Sequence, residues 1–120
     1  MSCDKVGNIL LVKFSCVGAK DACVYMPAMI VFWLLENMPV NQNPDLRAPE
    51  VQPQITQDDW DNPHTARMLS TQCMQFPDAL RMKCELDTKP DLTLLLNSSC
   101  IELMRRYMQV YSADLINLDN

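Results

Sequence analysis

The sequence predicts an α+β protein: a small antiparallel sheet of two or three strands packed by one long C-terminal helix, with an apolar N-terminal strand/helix segment and a Pro-rich linker. Three observations predict it. Leu80, Met82, Cys84 and Leu86 alternate with Arg81, Lys83, Glu85 and Asp87, the period of two expected of a strand with one buried and one wet face. Cys100, Met104, Tyr107, Met108, Tyr111 and Leu115 share one stripe at helical spacing. Pro39, Pro44, Pro49 and Pro53 interrupt a polar run that cannot sustain a helix.

These patterns divide the chain into residues 1–38, an apolar strand/helix segment; residues 39–58, a polar tether; and residues 59–120, the α+β module. No internal repeat is evident. In the first segment Asn8 to Cys16 reads as a strand, Gly18 to Asp21 as a turn, and Pro27 to Met38 as a helix with proline at its first position that ends before Pro39. Met29 to Leu35 is apolar all round, which predicts burial of the whole helix, either in this chain or against a partner, with Trp33 buried in the N-terminal unit. Residues 1–37 also read as an upstream extension of a protein that starts near Met38, and the sequence leaves both readings open.

In the third segment Phe76-Pro77-Asp78 and Asp87 to Asp91 read as turns on either side of the alternating strand. Leu92 to Leu96 then supplies its hairpin partner. Arg67 to Gln75 reads as a third strand with Leu69, Thr71 and Cys73 on one side, although Asn62-Pro63 also resembles a helix entry. Ser99 and Glu102 have the spacing of a capping box, so the long helix is expected to start there. Glu102, Arg105, Arg106, Gln109 and Ser112 are expected to face water.

Length and charge exclude several function classes. At 120 residues the chain has room for one domain, and its net charge of −5 repels a phosphate backbone or an anionic lipid surface. All of that charge belongs to residues 38–120, because residues 1–37 hold three basic and three acidic side chains. The six cysteines include no C-x-x-C pair, and Cys84 and Cys100 fall at core positions, so reduced thiols in a cytoplasmic compartment are expected. Lys13 and Lys20 break the early apolar run, which argues against a secretory signal. The longest apolar stretch, Ala22 to Leu35, is shorter than the roughly 20 residues of a membrane-spanning helix.

Catalytic chemistry finds little to stand on. His64 is the lone histidine, and no elbow or oxyanion-hole sequence brackets any cysteine that would pair with it. The thiols are too scattered for a sequence-encoded zinc site, and two glycines, Gly7 and Gly18, cannot build a phosphate-cradling loop. No cofactor, metal or enzymatic activity is therefore expected.

A sheet under a single helix leaves one face and two edges uncovered, which points to binding. The expected function is that of a small cytoplasmic regulatory protein acting through another protein, of the inhibitor, anti-activator or anti-defence type, and itself a homodimer. Its anchors are expected at Trp60, at the acidic run Asp58, Asp59 and Asp61, and at Tyr107, Met108 and Tyr111 on the helix. The alternatives are an acidic nucleic-acid mimic built on that run, against its plainer reading as a solvated loop, or a nucleic-acid-associated regulator, and, third, a thiol- or metal-dependent enzyme. No direct binding of nucleic acid or membrane is expected.

Overall fold

Short alternating runs build most of the molecule, which is a computed structural model describing residues 1–18, 21–38, 49–53, 66–76, 79–88 and 90–117. Strands β1 (Ser2–Val6) and β2 (Ile9–Phe14) form a hairpin turned by Gly7, whose φ of 61° is free of strain only without a Cβ. Strand β3 (Ala22–Pro27) follows and passes without a loop into helix α1 (Ala28–Asn37). Pro27 caps that helix in extended conformation, and the Met38 N–H closes it on the Leu34 carbonyl at 2.8 Å, one residue before Pro39. Then come β4 (Val51–Pro53), β5 (Ala66–Phe76), β6 (Ala79–Leu86), β7 (Leu92–Asn97) and helix α2 (Ser98–Asn117).

The seven strands make one mixed sheet in the order β1-β2-β3-β5-β6-β7-β4. Every neighbouring pair is antiparallel except β3 and β5, which run parallel. Beyond β2, Cys16 bridges to Val51 and the Val17 N–H donates to the Val51 carbonyl at 2.8 Å. The β4 edge is thereby tied back to the end of β2, so the sheet curls round its own core. Helix α1 packs on β2 and β3, α2 packs on β6 and β7, and the helices pack on each other.

This architecture corrects the expectation of a two- or three-stranded sheet under one helix. The N-terminal segment supplies three of the seven strands: Val24 and Tyr25 of β3 pair with Ala66 and Arg67 of β5, and one buried core runs through both parts. Part of the expected tether is also strand, since Val51–Pro53 pairs with Leu96, Leu95 and Leu94 of β7. Proline is tolerated there because it ends a short outer strand.

Local expectations need correction too. In α1 only Val31 and Leu34 are fully buried, while Met29 is 83% and Trp33 40% exposed, because a ten-residue helix turns one face to the sheet and nothing described covers the other. The cap of α2 falls on Asn97, whose Oδ1 accepts the Cys100 N–H at 2.9 Å. Glu102, expected in a capping box, pairs with Arg105 and Arg106. Arg105, expected in water, is only 7% exposed, its guanidinium paired with Glu102.

The two halves repeat each other at a constant spacing. Ile9 and Ala79 begin β2 and β6, Ala22 and Leu92 begin β3 and β7, and Ala28 and Ser98 begin α1 and α2, a separation of 70 positions each time. Registers follow the same spacing: Cys3 faces Val12 as Cys73 faces Met82, and Leu10 faces Met26 as Leu80 faces Leu96. The ion pair Lys13–Asp21 at 3.3 Å has its counterpart in Lys83–Asp91 at 3.6 Å. Leu10, Val12, Phe14, Val24, Met26, Val31, Leu34 and Met38 are buried, and so are Leu80, Met82, Cys84, Leu94, Leu96, Ile101, Met104 and Met108. The expectation of no internal repeat therefore fails at the level of structure: among the described residues, β1–β3 with α1 and β5–β7 with α2 are two β-β-β-α units, with β4 outside them.

Candidate interaction surface

The repeat makes its exceptions visible, and the largest lies in β5. This strand runs for eleven residues, about twice the usual length, and begins by pairing with β3 on one side and β6 on the other. A bulge between Met68 and Ser70 shifts its phase, so that the buried set Ala66 and Met68 gives way to half-buried Thr71 and Cys73. Leu69, expected beside Thr71 and Cys73, is the bulged residue and stands 55% exposed.

After the bulge β5 keeps β6 as its neighbour and leaves β3. Among the described residues no strand pairs with its other edge beyond Arg67. Ser70, Gln72, Met74 and Phe76 lie across from Glu85, Lys83, Arg81 and Ala79 on the outer face. Met74 is 54% exposed and Phe76 40%, the Phe76 ring lying 5.3 Å from the Arg81 guanidinium. From Leu69 to Phe76 the strand carries no charge, no proline and no glycine, the devices by which proteins discourage strand addition.

The equivalent strand of the first half is guarded. In β1 the positions matching Met74 and Gln75 are Asp4 and Lys5. The Tyr111 hydroxyl, from the long second half of α2, donates to the Cys3 carbonyl at 3.3 Å. Helix α1 is half as long as α2 and ends at Asn37, where its carbonyl accepts the Gln75 side-chain amide at 3.1 Å.

A small polar hollow adjoins this strand. Ser70, Gln72, Lys83, Glu85 and Asp91 surround about 70 Å³, with Ser70 Oγ donating to Glu85 at 2.8 Å and Lys83 paired with Asp91. That is space for about two water molecules and far below the few hundred Å³ of a small-molecule site. No group of three or more metal-ligating side chains occurs among the described residues. The six cysteines are free thiols, and burial pushes Cys3 and Cys84 up to about 12 and Cys100 to about 11, which keeps them protonated and inert as nucleophiles at neutral pH.

The residues singled out by sequence fall in three places. Asp58, Asp59, Trp60 and Asp61, with His64, lie outside the described residues. Met108 is wholly buried and offers a partner no surface, while Tyr107 and Tyr111 are half-buried against the core, where Tyr111 holds β1 of its own chain. The exposed apolar residues of β5 were missed. Their signal was the uncharged run from Leu69 to Phe76 inside a strand, in a chain where 21% of residues are charged. No protein-family model, curated protein or solved structure matches this chain.

Proposed function

We propose that this chain is a small regulatory protein that acts by binding another protein, of the inhibitor, anti-activator or anti-defence type, with β5 as its docking strand. The observation that carries the reading is the uncharged edge from Leu69 to Phe76, with which no other strand pairs among the described residues. An extended segment added there gains main-chain hydrogen bonds, with Leu69, Met74 and Phe76 supplying apolar contact. The free thiols support a reducing compartment such as the cytoplasm. Among the described residues no helix is long and apolar enough to cross a membrane.

Nucleic-acid mimicry finds less support on this face, where Arg81 and Lys83 are interleaved with Glu85 and Asp91 instead of presenting one sign of charge.

The test is affinity capture from the native host with the intact chain and with a Leu69→Ser, Phe76→Ser variant. Both side chains are exposed, so the variant keeps its melting temperature within a few degrees. A foreign protein held in stoichiometric amount by the intact chain and lost from the variant is the expected result. Absence of such a protein, or equal retention by both chains, would overturn the reading.

A further inference from the structure

We infer that, resting on the reading of β5 as a docking strand, its resident occupant is the β5 of a second copy, paired antiparallel about a two-fold axis. Dimerisation then stores the docking edge, and a foreign partner competes for it.

Charge selects this occupant. The chain carries a net charge of −5, yet the eight residues from Leu69 to Phe76 carry none, so two copies approach through a strand edge that no described strand occupies and that has no charge to repel its twin, whereas uncharged β4 has its outer side tied to Cys16 and Val17. A partner chosen by electrostatic complementarity would need charged side chains along this edge, and it has none; a strand identical to this one needs none. The counterpart edge cannot take part equally, because Asp4 and Lys5 lie along β1 and Tyr111 is bonded to its Cys3 carbonyl.

Symmetry fixes the register to two choices. Residues directly opposed across an antiparallel pair share a face, and a two-fold axis near the middle of the run falls at Cys73 or at Gln72. Centred on Cys73, Gln72 opposes Met74 of the other copy and Ser70 opposes Phe76. Centred on Gln72, the two glutamines oppose each other and Ser70 opposes Met74. Either way the exposed Met74 gains a covered position, and the two Cys73 thiols lie within about 10 Å, given Cα separations of ~5 Å for opposed residues and ~3.4 Å per residue along the strand.

The pairing is tested by adding charge that the monomer accepts and the dimer rejects. Within one chain Gln72 faces Lys83 and Met74 faces Arg81, so Gln72→Glu with Met74→Glu gives each new carboxylate a cationic neighbour. Between copies the same carboxylates are opposed in the Cys73-centred register, and the two at position 72 meet in the other. Gln109→Glu with Val110→Glu, on the exposed side of α2, adds the same charge away from the strand.

Sedimentation equilibrium of the intact chain at micromolar concentration is expected to give a dimer, the α2 variant a dimer, and the β5 variant a monomer, with association weakened at least tenfold and the far-UV spectrum unchanged. A short bis-maleimide is expected to join Cys73 to Cys73 between copies, identified by peptide mass. A monomeric intact chain, a dimer indifferent to the β5 substitutions, or cross-links that exclude Cys73 would each overturn the inference. The two readings fail separately: a monomer that still captures a foreign protein through Leu69 and Phe76 leaves the proposed function standing, and a β5 dimer that captures none leaves the self-pairing standing.

Discussion

The Tyr111 hydroxyl donates to the Cys3 carbonyl at 3.3 Å, across 108 positions of sequence. It joins the end of α2, from the second unit, to β1 of the first, on the edge that would otherwise be open. The opposite exchange is made by Gln75 of β5 and the last carbonyl of α1. Each unit thus lends its helix to the first strand of the other, but only the longer helix secures it with a ring.

Tyr111→Phe is expected to keep the ring packing and lose the bond. Thermal unfolding should show a loss of about 0.5–1.5 kcal/mol, the usual net worth of one hydrogen bond. Hydrogen exchange should speed up in β1 and stay unchanged in β6.

Asn97 has two tasks, because its Oδ1 accepts the Cys100 N–H at 2.9 Å and the Glu50 N–H at 3.0 Å. Asn97→Ala should cost about 1–2 kcal/mol, the upper part of the range for a lost N-cap. Asn97→Asp, which keeps an Oδ1 acceptor for both bonds, should recover most of that in the same melting experiment.

Leu10 and Leu80 hold equivalent places in β2 and β6, and both are fully buried. Leu10→Ala and Leu80→Ala should each cost about 2–5 kcal/mol and each shift a single unfolding transition. Two separate transitions in calorimetry, one sensitive to each substitution, would show that the units unfold independently and that the shared core does not couple them.

Alkaline pH should destabilise the fold through its buried thiols. Burial raises Cys3 and Cys84 from 9.0 to about 12 and Cys100 to about 11, so between pH 9 and 12 the unfolded chain binds fewer protons than the native one. The contribution is intact below pH 9 and falls as pH rises, by at most about 1.4 kcal/mol per pH unit for each thiol. Denaturant melts from pH 7 to 11 check this, and Cys84→Ala should flatten the slope.

By itself the sequence determined what depends on near neighbours. The alternation of Leu80, Met82, Cys84 and Leu86 made β6, all four being buried; Leu92 to Leu96 made β7; prolines bounded α1; and the Cys100-to-Leu115 stripe set the inward face of α2. Tertiary structure alone decided that β3 lies beside β5, that the first 38 residues supply three of the seven strands, and that the chain repeats itself. The repeat is hidden because burial asks only for an apolar side chain: Phe14 and Cys84, or Leu34 and Met104, fill equivalent places with little likeness of letter. The β5 edge that no described strand pairs with is harder to read for the converse reason: whether a strand has a neighbour is a property of the other strands, and within its own residues it left only the uncharged run from Leu69 to Phe76.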